Sequence, residues 1–140
     1  MARAQHWLLK SEPFKYSWSQ LMTDGKTHWD GVRNYEARNN LRAMTVGDLC
    51  LFYHSNEGKE IVGVAEVVRA AYPDPSSKDD WSCVDVSPVV PFTAPVSLDA
   101  IRNRKALAAM QMLTRNRLSV TRVTAAEFRT LLKMGETALP

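Results

Sequence analysis

Apolar residues recur along this chain in two rhythms, and the switches between them mark out the elements. Trp7-Leu8-Leu9 is a short apolar run that predicts a buried strand. Pro13 closes it, because proline lacks an amide donor and holds Glu12 out of the helical region. Ser17-Trp18-Ser19-Gln20 then carries a capping-box pattern and predicts a short helix through Met22, stopped near Asp24-Gly25. Asn34 is a candidate N-cap for a helix from Tyr35 to about Ala43. In that helix Tyr35, Arg38, Asn39 and Arg42 share a polar face, and Ala37, Leu41 and Met44 share the buried one.

Period-two patterning follows. Val46-Gly47-Asp48 reads as a turn into a strand from Leu49 to His54. The Asn56-Glu57-Gly58-Lys59 turn returns the chain as an antiparallel partner from Ile61 to Ala71. Gly63 inside it marks a bulge or a close approach. Trp81 to Val90 alternates, with Trp81, Cys83 and Asp85 on one face and Ser82, Val84 and Val86 on the other. Pro88 and Pro91 confine its end to a sheet edge. Ser97 caps a short helix, Ala106 to Leu113 is apolar, and Leu118 to Val123 is a further strand. Thr124 and Glu127 form a second capping box for a closing helix, with Phe128, Leu131 and Leu132 inward and Gly135 as its stop. The order predicts one α+β domain over 1–140, a curled, barrel-like mixed sheet decorated with short helices.

Composition narrows the class without deciding it. The chain has 140 residues, 45% hydrophobic and 24% charged, which is an ordinary globular balance. Its net charge of +3 fits contact with phosphates, although many proteins without such partners carry as much. Cys50 and Cys83 each sit in an apolar strand and read as small buried hydrophobes in a reducing compartment. His54 follows Cys50 on the same strand, but about 13 Å away along it, so no metal site is expected. Without an apolar run of membrane-span length or a signal-peptide core, the expectation is a cytoplasmic protein with no membrane partner.

Candidate chemistry concentrates between Trp29 and Ser55, where indole, carboxylate, amide, guanidinium and imidazole groups crowd the ends of elements. Side chains at element ends can share a cleft, so this span predicts a pocket for a planar, hydrogen-bonding ligand of nucleobase type. Trp29 is the stacking candidate, with Glu12 and Asp30 as acceptors for an exocyclic amine and Asn34 as a two-way reader of a base edge. His54, Ser55 and the Gly31-Val32 amides are candidates for sugar or phosphate, and Ser11 adjoins them. Arg33, Arg115 and Arg117 are the phosphate candidates, since guanidinium forks match phosphate oxygens. Each has a plainer competitor: Trp29 as a plug of the barrel end, Asp30 as a turn former, Asn34 as a cap alone, His54 as a structural hydrogen bonder. Trp7, Trp18 and Trp81 are assigned to the core. On this reading Trp29→Ala removes binding and leaves the fold intact.

Several segments carry a family resemblance. Trp7-Leu8-Leu9-Lys10-Ser11-Glu12-Pro13, Trp29-Asp30-Gly31-Val32-Arg33-Asn34-Tyr35, Phe52-Tyr53-His54-Ser55 and Ala71-Tyr72-Pro73-Asp74 resemble the EVE domain family. Trp81, Val84-Asp85-Val86 and Thr114-Arg115-Asn116-Arg117-Leu118-Ser119-Val120 extend the match over nearly the whole chain. That family, which includes the thymocyte nuclear proteins and bacterial relatives, lies in the PUA-like superfamily. The resemblance implies a PUA-like mixed β pseudobarrel, similar in architecture to YTH domains, that binds nucleic acid without catalysis. It implies a modified base as ligand, a modified cytosine in DNA favoured over RNA, with no cofactor and no metal.

The alternative is a small amidohydrolase-like enzyme acting on a modified nucleobase, as in the related ASCH group, with Lys10 and Glu12 as its lysine and carboxylate. Residues two apart on a strand share a face but lie about 6–7 Å apart, too far for direct proton exchange.

Overall fold

Six strands form one mixed sheet in a computed structural model that describes residues 4–140. In chain order the elements are β1 (His6–Ser11), α1 (Trp18–Asp24), β2 (Thr27–His28), α2 (Tyr35–Ala43), β3 (Leu49–His54), β4 (Glu60–Pro73) and β5 (Ser82–Ser97). Then come α3 (Leu98–Arg102), a single 3-10 turn (Lys105–Leu107), α4 (Gln111–Thr114), β6 (Val120–Val123) and α5 (Ala125–Met134). The sheet order is β2-β5-β4-β3-β1-β6. Among the described residues only β1 and β3 run parallel, Trp7 opposite Cys50 and Ser11 opposite His54. The other ladders are antiparallel. The expected mixed sheet with short helices is therefore present.

Alternation along the central strands sends side chains into two apolar layers. Trp7, Leu9, Cys50, Phe52, Ala65 and Val67 join α1, α2 and Trp29 on one side of the sheet. Leu8, Leu51, Tyr53 and Val64 join Ile101, Met112, Phe128 and Leu131 on the other. Ile61 and Val64 share a layer although three residues apart, because the ladder slips between Ile61 and Gly63. Gly63 also meets a close approach: a Cβ there would lie 2.5 Å from the Trp18 ring. Both readings of that glycine hold.

The capping residues act as the sequence predicts. Ser17, Asn34, Ser97 and Thr124 accept from the amides of Gln20, Ala37, Ala100 and Glu127, and the Thr124–Glu127 box is reciprocal. At α1 only half a box forms, since the Gln20 side-chain Nε2 donates to Asp24 instead of its oxygen reaching back to Ser17. Gly135 ends α5 but for a packing reason: its φ is −80°, and a Cβ would strike Phe92 at 2.4 Å.

Strand β5 departs from expectation twice. Residues Ser82 to Val86 are buried on both faces, because β5 there lies between β4 and β2 under α2. It also runs past Pro88 and Pro91 to Ser97. Strand β2 pairs only Val86 and Asp85, so beyond them β5 is an open edge where a missing amide costs nothing. Trp81 lies outside the strand and outside the core. It is half-buried and stacks on exposed Tyr35 at 5.1 Å, with Arg33 and Arg38 guanidiniums 5.6 and 5.8 Å from its ring.

Candidate nucleobase-binding cleft

Four chain segments meet at one end of the sheet. The ends of β1 and β3 lie side by side, the loop from β2 to α2 arrives from the far edge, and the segment before β6 closes the gap. Between them opens a cleft of about 900 Å³. Of the predicted site residues, Ser11, Glu12, Trp29, Asp30, Gly31, Val32, Asn34, Ser55, Arg33 and Arg117 line it. His54 and Arg115 do not.

Trp29 forms an inner wall. It is only 9% exposed, and its ring meets Phe52 at 5.5 Å and Tyr16 at 6.4 Å, both edge-to-face. Its amide donates to the Val84 carbonyl at 2.7 Å, which fixes the loop to β5. The indole is thus both core and cleft. The expectation that Trp29→Ala spares the fold is wrong: truncating a buried tryptophan costs about 3–5 kcal/mol. Tyr16, which the sequence reading passed over, stands beside it at a right angle (89°), so the pair makes an aromatic corner. The Tyr16 hydroxyl donates to Asp24 at 2.8 Å.

The wall from Gly31 to Arg33 is held by a residue the sequence reading left without a role. The Asp74 side chain is fully buried and accepts from the Gly31 amide at 2.9 Å and from Arg33 Nη1 at 3.1 Å. Its other oxygen accepts from the Ser76 amide and hydroxyl at 2.7 and 2.5 Å. Burial raises the carboxyl's pKa, but these donors outweigh it and hold the group down at about 2. Gly31 itself sits at φ +78°, a left-handed conformation suited to glycine.

This wiring changes two assignments. The Gly31 amide is committed to Asp74 and is not a phosphate donor. Arg33 spends its guanidinium on Asp74, Ser76 and the Val32 carbonyl, so it braces the wall instead of standing free at the rim.

Two further candidates are structural. His54 Nε2 accepts from the Trp18 amide at 3.1 Å and so pins the start of α1. That bond needs a neutral imidazole, and burial lowers the pKa of His54 against the opposing pull of Glu60. Arg115 forms an ion pair with Glu36 on α2. Arg117, by contrast, lines the cleft and has no hydrogen-bond or ion-pair partner among the described residues.

The remaining polar groups face the opening. Asn34 turns its Oδ1 into the helix to cap Ala37 at 3.0 Å, which leaves the Nδ2 amide as an outward donor. Asp30 pairs loosely with His28 at 3.5 Å and Glu12 with Lys15 at 3.7 Å, and both carboxylates keep exposed oxygens. Ser11 donates to the Tyr16 carbonyl at 2.5 Å and can still accept. Lys10, named above only for the hydrolase alternative, and Asn116, given no role, stand at the mouth, where Lys10 Nζ donates to the Asn116 carbonyl at 3.0 Å.

Comparison with known proteins agrees with this architecture. The EVE domain family model matches residues 5–134. Thymocyte nuclear protein 1 of Rattus norvegicus is 40% identical, over 95% of this chain and 74% of the relative. Among solved structures, protein Atu2648 from Agrobacterium tumefaciens superposes with a TM-score of 0.94 at 45% identity, over 98% of this chain and 97% of that one. Human THYN1, solved in complex with 5-methylcytosine-containing DNA, superposes with a TM-score of 0.88 at 36% identity, over 96% and 99% of the two chains. Its fold and its sequence place this chain in the EVE domain family.

Proposed function

We propose that this chain is a non-catalytic nucleic-acid-binding module that takes a modified base, a modified cytosine in DNA, into the cleft beside Trp29. The observation that carries the reading is the cleft itself. It joins the aromatic corner of Trp29 and Tyr16 to carboxylates and an outward amide. The human relative solved with 5-methylcytosine DNA supports the choice of ligand.

Cytosine presents an amine that donates, and a ring nitrogen and carbonyl that accept. Glu12 and Asp30 supply acceptors for the first, and the Asn34 Nδ2 amide supplies a donor for the second. Val32 and Leu118 give the lining an apolar patch against which a 5-methyl group can rest. A methyl in such a recess is worth about 1–3 kcal/mol, roughly 10- to 200-fold in affinity. The base must leave its stack to enter, so single-stranded or mispaired sites are favoured over intact duplex. Arg117 and Lys10 offer charge to the backbone at the mouth.

The hydrolase alternative has no support in the geometry. Lys10 is bonded to Asn116 and Glu12 is paired with Lys15, and no bond joins Lys10 to Glu12 among the described residues.

The test is tryptophan fluorescence titration with single-stranded DNA and RNA carrying cytosine, 5-methylcytosine or 5-hydroxymethylcytosine, with product followed by mass. Saturable quenching without turnover, tighter for a modified DNA, is expected. Equal affinity for modified and unmodified strands would sink the reading, and so would time-dependent product. Asn34→Asp is the matched variant, because aspartate caps a helix as well as asparagine but cannot donate to the base. It should fold normally and bind modified and unmodified strands more weakly alike, since the edge it reads is common to both.

A further inference from the structure

A second recess, of about 360 Å³, lies against the first cleft and shares Lys10, Ser55, Asn56 and Asn116 with it. The partition is thus one layer of residues at the ends of β1 and β3. Lys10 stands on it with Nζ bonded to the Asn116 carbonyl, and two of its three donors remain available to either side.

The chemistry of the two spaces differs. The first cleft carries the carboxylates Glu12 and Asp30, whereas the second is lined by Lys10, Lys59 and Arg102 and by no carboxylate. Lys59 and Arg102 have no side-chain partner among the described residues. Elsewhere Arg33 pairs with Asp74, Arg38 and Arg42 share Asp80, and Arg115 pairs with Glu36, whereas no carboxylate pairs with the cations of the second recess among the described residues. Positive charge is therefore left uncompensated where the second recess opens. Beneath the cations the lining is apolar, from Leu98, Met112, Leu113 and the ring of Tyr53.

The backbone holds this arrangement in place. Asn56 and Lys59 both adopt left-handed conformations, at φ +66° and +46°, so the hairpin between β3 and β4 curls tightly over the recess. The Lys59 carbonyl accepts from the Leu98 amide at 2.8 Å, which ties that hairpin to the start of α3, and Lys59 and Arg102 line the one recess.

We infer that this recess receives the neighbouring nucleotide of the same strand, with its phosphodiester between Lys10, Lys59 and Arg102 and its sugar on the apolar floor. A strand whose base enters the first cleft can lay its adjacent phosphate across the partition, past Lys10 and toward Lys59 and Arg102 in the recess beyond. An isolated anion would not need the apolar floor, and a folded partner would not fit the volume. The inference rests on the base-binding reading of the first cleft, and the experiment separates the two.

Wild-type protein and the Lys59→Gln/Arg102→Gln double variant are titrated with 5-methyl-2′-deoxycytidine and with two dinucleotides carrying one thymidine on its 5′ or its 3′ side. Both substituted residues are exposed, and circular dichroism checks the fold. One of the dinucleotides should bind wild type at least 10-fold more tightly than the nucleoside, with a log–log salt slope steeper by about 0.7 per phosphate contact. The double variant should lose most of that gain and leave the nucleoside unchanged. Dinucleotides no tighter than the nucleoside, or a variant that keeps the gain, would overturn the recess while leaving the first cleft standing. If wild type bound none of the three ligands, the base-binding reading would fall and take the recess with it.

Discussion

Replacing Asp74 with asparagine tests whether the cleft wall is held by charge. The carboxylate receives four donors, from the Gly31 amide, Arg33, the Ser76 amide and the Ser76 hydroxyl. An asparagine keeps one oxygen and turns an NH2 group toward one pair of these donors, so two bonds are lost if it faces Gly31 and Arg33, and one if it faces Ser76, whose hydroxyl can turn to accept. The carboxyl is held at about 2 in the fold against an ordinary value of 3.8. A shift of that size corresponds to about 2 kcal/mol of stability from the ionised form. Removing one partner of a fully buried pair costs 3–5 kcal/mol, but Arg33 is 40% exposed and water can resolvate it. About 2 kcal/mol is therefore expected at neutral pH.

The pH dependence gives the sharper result. A carboxyl whose pKa is lower in the fold stabilises it above the unfolded value, and that stability is lost as pH falls toward the folded value. The gap between wild type and Asp74→Asn should be full above about pH 5 and close between pH 4 and 2. Asp48 also has a lowered pKa, burial being overcome by bonds from Thr45, Trp7 and Gln5, but it titrates in both proteins and cancels in the difference. Urea unfolding at several pH values measures the gap, and fluorescence titration follows the base. Affinity should fall along with stability, because Gly31 and Arg33 lose their anchor. A gap below about 0.5 kcal/mol, or one that does not change between pH 6 and 3, would show that the wall stands without the charge.

Other consequences can be measured separately. Gly63→Ala should destabilise by about 1–3 kcal/mol in urea, since its Cβ would lie 2.5 Å from the Trp18 ring and that ring is packed against Phe52. Thr121→Val should leave stability unchanged or raise it, because the Thr121 hydroxyl is buried with no partner among the described residues; a loss above about 1 kcal/mol would reveal a bond. Arg117→Gln should flatten the salt dependence of DNA binding and Arg115→Gln should not, as Arg115 is tied to Glu36. In an NMR titration His54 should ionise below its ordinary 6.5, and the Trp18 amide should shift with it.

The parts of the fold that were legible in the sequence are those fixed within a few residues. Ser17, Asn34, Ser97 and Thr124 cap their helices because a cap is a local bargain between a side chain and an amide three residues on. Strand alternation gave the two faces of β3 for the same reason. What stayed hidden was pairing at long range. Nothing local says that β1 runs parallel to β3, or that Asp48 is buried to accept from Trp7 and Gln5 across more than forty residues. Trp81 was misplaced because alternation continues through it, although the strand begins one residue later and Tyr35 offers its ring a partner outside the core.

The same distinction explains which of the candidate residues line the cleft. Residue type and position at an element end brought Ser11, Glu12, Trp29, Asp30, Asn34 and Ser55 to one cleft, since the sheet order sets the ends of β1 and β3 together. Whether a charged group there is free depends on its partners, and those come from distant segments. Arg33 and Arg115 look alike in sequence to Arg117, yet Asp74 and Glu36 consume the first two. A guanidinium already bonded to a carboxylate can take a phosphate only by giving that bond up, so its contribution to binding is the difference between two similar interactions. Arg117, Lys59 and Arg102 face no such exchange, and binding charge should be sought among these uncommitted groups before the more numerous paired ones.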